Sequence, residues 1–209
     1  MTLHEYGNPG AEVLLIQPVG GRDRAETARE AETIRALTGA DFRLVAVEVA
    51  DWNRDLSPWA AAPVFGDAAF GAGAAATLEA ILPLCRGRRC YLGGYSLAGL
   101  FALWAGCRTE AFAGIAAASP SVWFPGFVDD LRGHEMRSAA VYLSLGEREP
   151  RTRNPVMATV GDCIRASHDI LRAQGVDCTL EWNPGGHFND PSLRTARAFA
   201  WVLSREGNA

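Results

Sequence analysis

The chain has 209 residues, 48% hydrophobic and 21% charged, with a formal net charge of −4. That length can bury a sizeable core in one domain, 1–209, without disulfides, and the acidic balance argues against a nucleic-acid-binding surface, which would be basic. All 20 basic residues are arginine, which excludes Schiff-base chemistry, a Ser-Lys dyad and a phosphate-loop lysine, because a guanidinium does not give up its proton.

No stretch approaches the roughly 20 apolar residues that cross a bilayer. Met1-Thr2-Leu3-His4-Glu5 lacks the basic start and apolar run of a signal peptide. The expectation is a cytoplasmic protein with no membrane or nucleic-acid partner. Cys85, Cys90, Cys107, Cys163 and Cys178 show neither CxxC nor Cys/His ligand spacing, so they read as buried free thiols, with no metal and no cofactor implied.

Taken in order, apolar runs alternate with helical patterns, the signature of a mainly parallel sheet with helices on both faces. Thr2–Tyr6 reads as an optional edge strand. Val13-Leu14-Leu15-Ile16 is a short unbroken apolar run, expected of a strand covered on both sides. A charged helix is predicted from Arg22 to Leu37, closed by Gly39, then a valine-rich strand from Phe42 to Val49. A loop from Asp51 to about Gly73 carries Trp52, Trp59 and Phe65, and a helix follows from Ala74 to about Leu84. Strands are predicted at 89–94, 113–118, 139–145 and 177–182, and helices at 97–106, 155–173 and 191–204. Asn154 is placed as the cap of the helix at 155–173 and Gly175 as its stop. Six strands are read in this way, or seven with the edge.

The chemistry concentrates at Gly94-Tyr95-Ser96-Leu97-Ala98-Gly99. A strand runs into a serine flanked by small residues, and a helix starts at once. That pattern is a nucleophile elbow, which lifts a serine hydroxyl above the sheet on a strained turn. Serine at its ordinary pKa needs a base within hydrogen-bond reach. Of the four histidines, His4, His134 and His168 read as surface residues, whereas His187 sits in a Gly-Gly-His-Phe loop between the last strand and the last helix. The third member should follow the intervening strand and orient the imidazole. Within Gly146-Glu147-Arg148-Glu149 the spacing of three after the glycine selects Glu149 over Glu147, with Asp129 the remaining alternative. Oxyanion donors are expected at the Leu97 N–H, at a helix start, and in the Val19-Gly20-Gly21 turn, with Val19 preferred.

These residues resemble a known group. Gly94 to Leu103, Ala118-Ser119-Pro120-Ser121-Val122-Trp123 and Gly185-Gly186-His187 are similar to the esterase family that includes enterochelin (siderophore) esterases, S-formylglutathione hydrolases, feruloyl esterases and mycolyltransferases. The resemblance runs from about Val13 to the end, and the Ser-Pro-Ser-Val-Trp element is most like the siderophore esterases. It implies an α/β-hydrolase fold and a serine esterase in which Ser96 and His187 carry over directly; this chain is shorter than most members, so minimal or no lid is expected. The acid carries over less directly, because some siderophore esterases work with serine and histidine alone. The expected partner is a small-molecule ester; Trp52 and Trp123, which fall at or after the carboxyl ends of the strands where ligands bind in such sheets, are expected to line an acyl or aromatic pocket. The alternatives are an acyltransferase using the same triad and a non-catalytic ligand-binding member. Arg148, Arg151 and Arg153 cluster beside the acid, either to attract an anion or as a solvated face.

Overall fold

A computed structural model describes residues 2–21 and 24–205. Strands β1 (Thr2–Gly7), β2 (Val13–Val19), β3 (Phe42–Glu48), β4 (Arg89–Tyr95), β5 (Phe112–Ala118), β6 (Ala140–Gly146) and β7 (Asp177–Asn183) form one sheet. Their spatial order is β1-β3-β2-β4-β5-β6-β7, with β1 antiparallel to β3 and every other pair parallel. The helices are α1 (Arg24–Thr38), α2 (Trp52–Asp55), α3 (Ala74–Ile81), α4 (Leu97–Gly106), α5 (Phe127–Gly133), α6 (Val160–Ala173) and α7 (Pro191–Leu203).

The unbroken apolar strands are buried on both sides. Leu14 and Ile16 of β2 face the layer that includes α4, while Leu15 between them faces the layer of α1 and α7. The same alternation splits Val141 and Leu143 from Tyr142 in β6. α4 is buried along its whole length, which is why its sequence is apolar all round rather than striped.

The strand order fixes where a site can form. From β2 the chain crosses to β3 on one side and later to β4 on the other, so connections leave in opposite directions and a crevice opens at the carboxyl ends of β2 and β4. The β2–β4 pairing runs from Val13–Arg89 to Ile16–Leu92 and stops there. Beyond it the two strands part, with Val19 on one lip and Tyr95-Ser96 on the other.

Several expectations change in detail. The start of α1 at Arg22 lies outside the described residues. The loop after β3 contains α2, capped by Asp51, whose Oδ1 accepts from the Arg54 N–H at 3.0 Å. The helix expected from Pro155 begins at Val160. Asn154 does cap, accepting from the Val156 and Met157 N–H groups, but the turn it caps tightens into a 3-10 turn at Met157–Thr159, which leaves Val156 exposed. α5 was not foreseen: it buries only Phe127 and Leu131, too few apolar positions to register as a period. His4 is not a solvated residue, because the β1–β3 pairing brings its Nε2 within 2.9 Å of Glu48 Oε2. The five cysteines are free, but Cys85, Cys163 and Cys178 are only partly buried. No helix among the described residues is long and apolar enough to cross a membrane.

Candidate active site

Ser96 stands between β4 and α4 with φ 59° and ψ −120°, a conformation that costs a non-glycine residue on the order of 1–3 kcal/mol. The turn is sharp because Gly94 and Ala98 nearly touch: a Cβ on Gly94 would lie 2.6 Å from the Ala98 Cβ. The other non-glycine residues with positive φ, among those described, are Ser119 (41°), after β5, and Asp190 (50°), before α7. All three strained residues therefore lie beyond the carboxyl ends of the strands, on the rim that holds the crevice.

His187 lies in the loop after β7, as its sequence position suggests. Its carbonyl accepts a 2.7 Å hydrogen bond from the Tyr95 hydroxyl, so the residue preceding Ser96 also anchors the histidine loop. Burial, above all, holds the Tyr95 phenol above its ordinary value, so it remains a donor at neutral pH. Asn189 tightens the same loop by accepting from the Gly186 N–H at 2.7 Å.

Glu149 Oε2 lies 2.8 Å from His187 Nδ1. A carboxylate accepts but does not donate, so Nδ1 carries the proton and Nε2 presents a lone pair. The other oxygen, Oε1, accepts from the Gly146 N–H at 2.7 Å, the Ser119 hydroxyl at 2.9 Å and Arg194 Nη1 at 3.2 Å. The three-residue spacing has a physical cause: the β6 end must pass close beneath the carboxylate, and a Cβ on Gly146 would sit 2.9 Å from Oε1 and 2.7 Å from the Gly185 carbonyl. Glu147 is exposed, its N–H held by the Asn183 carbonyl, and Asp129 pairs with Arg132 on α5. Neither reaches His187.

Sequence reasoning missed Arg194. Its side chain is 2% exposed and reaches Glu149, Tyr95, Ser119 and the Pro184 carbonyl, charge-balancing the buried acid from behind. The available signal was a charge on the buried stripe of α7, four residues before Ala198 and eight before Val202.

The Ser96 hydroxyl is held at 3.1 Å by the Ser121 hydroxyl, not by the imidazole. Ser121 is 2% exposed, and its N–H also donates to the Ser96 carbonyl at 3.1 Å. Ser96 and His187 nevertheless share one cavity of about 570 Å³, walled by Trp52, Phe65, Trp123 and Phe188. A smaller recess of about 170 Å³ opens on the other side of Ser96 toward Val19, and Trp52 lines both. Trp123 also packs edge-on to Phe65 and Phe70, so it is wall and core together. Trp59 is tied to the Pro125 carbonyl and Trp182 to the core under Arg165.

The Leu97 N–H opens α4 and has no carbonyl before it in the helix to bond. Val19 lies on the crevice, but its carbonyl accepts from the Val49 N–H at 3.1 Å. Along a strand the N–H and C=O of one residue share a side, so its backbone is engaged with β3. Val19 itself is therefore not placed to donate its N–H into the crevice. No cluster of three or more His, Cys, Asp or Glu that could hold a metal occurs among the described residues.

The strand order, the turn at Ser96 and the loop carrying His187 define an α/β-hydrolase fold, and solved structures agree. Neither family models nor curated protein sequences give a match. Siderophore hydrolase EstA from Aspergillus nidulans superposes with a TM-score of 0.67 at 20% identity, over 92% of this chain and 82% of that one. An IroE-like serine hydrolase from Shewanella oneidensis gives 0.72 at 15% identity, over 97% and 75%. The enterobactin esterase FES from Shigella flexneri gives 0.65 at 16% identity, over 97% and 54%.

Proposed function

We propose that the protein is a serine hydrolase that cleaves carboxylic esters through an acyl-enzyme on Ser96. The observation that carries this reading is the 2.8 Å bond from the His187 ring to the buried Glu149, facing a cavity that also holds the strained Ser96. The likeness of the fold to siderophore hydrolases and an enterobactin esterase supports ester hydrolysis.

In this reading, rotation about the Ser96 Cα–Cβ bond exchanges Ser121 for His187 as the partner of Oγ. Oγ then attacks the ester carbonyl carbon while its proton passes to His187 Nε2. The oxyanion is held by the Leu97 N–H at the positive end of α4 and by the turn after β2. Collapse expels the alcohol with the proton from His187. A water molecule then attacks the acyl-enzyme, its proton again passing to Nε2; collapse breaks the Oγ–C bond, His187 returns that proton to Ser96 Oγ, and the acid leaves. Glu149 keeps the ring in the required tautomer and stabilises the imidazolium. The two recesses flanking Ser96 separate the acyl and alcohol halves of the ester.

The test is turnover of p-nitrophenyl esters of graded chain length, with activity expected on short chains. No turnover of any member by folded protein would contradict the proposal. Ser121 has a measurable part in it. Its hydroxyl holds the nucleophile and can donate to the charge that develops there, so Ser121→Ala is expected to lower kcat/KM roughly 10-fold. That is the worth of one hydrogen bond of about 1.4 kcal/mol, and steady-state kinetics reads it directly.

A further inference from the structure

We infer that the ester this protein cleaves carries a carboxylate, received by Arg148 and Arg151 at the mouth of the Ser96 cavity. The inference rests on the assignment of Ser96 as nucleophile and adds the class of substrate to it.

The argument is a charge inventory of one cavity. Its wall carries Arg148, Arg151, Glu149 and His187 among the titratable groups, and the rest is largely apolar, with Trp52, Phe65, Trp123 and Phe188. Glu149 is already committed, one oxygen to His187 and the other to Arg194, so it neutralises neither arginine at the mouth. Several arginines elsewhere take acidic partners (Arg43 holds Glu5, Arg108 holds Asp130 and Arg137 holds Glu110), and of those that do not, Arg148 and Arg151 are the two that line this cavity. Among the described residues, the guanidinium groups of Arg148 and Arg151 have no ion pair and no side-chain hydrogen bond, although Glu147 is adjacent in sequence. An acidic chain with a net charge of −4 thus keeps two uncompensated positive charges at the opening above its candidate nucleophile.

Their backbones are fixed rather than adrift. The Arg148 N–H donates to the Gly185 carbonyl at 2.9 Å, and the Arg151 N–H to the Arg148 carbonyl at 3.0 Å. The 3-10 turn Glu149–Arg151 that carries Arg151 begins with the candidate triad acid. One short turn therefore sends Glu149 inward to His187 and places the two arginines at the cavity, in a set relation to the reacting carbon. A guanidinium fork matches a carboxylate in shape and charge, and the apolar wall suits a hydrocarbon or aryl body. The occupant this surface fits has an apolar middle and one anionic end.

The test compares two p-nitrophenyl esters with the same six-carbon acyl chain, the hexanoate ending in methyl and the adipate half-ester ending in carboxylate, each corrected for its uncatalysed rate. The adipate half-ester is expected to show kcat/KM about 10-fold above the hexanoate, mostly in KM, as rim charges contribute modestly. The ratio should fall toward one in Arg148→Gln/Arg151→Gln and in high salt, which screens exposed charges. The same preference is read without turnover, as protection of Ser96 from a fluorophosphonate by hexanoate ion compared with hexanamide. Equal kcat/KM and equal protection in the wild type would overturn the inference alone, as would a ratio that the double variant leaves in place. Turnover of neither ester together with no labelling of Ser96 would overturn the nucleophile assignment, and this inference with it.

Discussion

Ser96→Ala is expected to reduce kcat/KM on a short-chain ester by about 10⁴-fold or more, equivalent to about 5.5 kcal/mol of lost transition-state stabilisation. The substitution removes the only protein atom that bonds to substrate carbon in the proposal. It leaves the oxyanion donors and the cavity in place, so substrate binding should change far less than turnover. The fold should tolerate it. The lost hydroxyl has one side-chain partner, Ser121, so stability falls by about 1–2 kcal/mol, and the strained backbone at φ 59° is common to both variants. Activity within about 10-fold of the wild type would mean that Ser96 is not the nucleophile.

Arg194→Met should produce the largest loss of stability, about 3–5 kcal/mol. Breaking a buried pair strands the partner's charge in a low-dielectric setting. Here the stranded group is Glu149, 6% exposed, and Tyr95, Ser119 and the Pro184 carbonyl each lose a donor as well. Methionine fills much of the same volume, so the effect reads charge and hydrogen bonding rather than a cavity. Urea denaturation or a fall in Tm of roughly 6–20 °C checks it, at about 2–4 °C per kcal/mol for a chain of this size. Activity should fall further than the folded fraction does, because Glu149 would be partly released from the orientation that holds His187. Unchanged stability would show that the pair is dispensable.

Strands were the most legible part of this chain because a strand buried on both faces carries few polar residues. Val13–Ile16 and Ala113–Ala118 show this directly. β1 was the least certain strand for the converse reason: as an edge it carries His4 and Glu5, which pair with Glu48 and Arg43 across β3. At the candidate site, the placement of Ser96, His187 and Glu149 around one cavity was readable because each is held by a tight turn whose small residues show in the sequence. The Gly146–Glu149 spacing reflects an N–H that must reach the carboxylate. Arg194, Ser119 and Ser121 were not readable, since their roles depend on which strands lie side by side. Ser119 follows β5 and meets Glu149 beyond β6 only because the two strands are neighbours. The start of α6 was misplaced because a capping residue and a proline mark where a turn begins, without saying whether it winds as an α-helix or a 3-10 turn.

Covalent labelling bears most directly on the central assignment. Folded protein treated with a fluorophosphonate and digested should yield one adduct, on the peptide containing Ser96, and Ser96→Ala should yield none. An unlabelled wild type, or an adduct on Ser119 or Ser121 with Ser96 intact, would contradict the account.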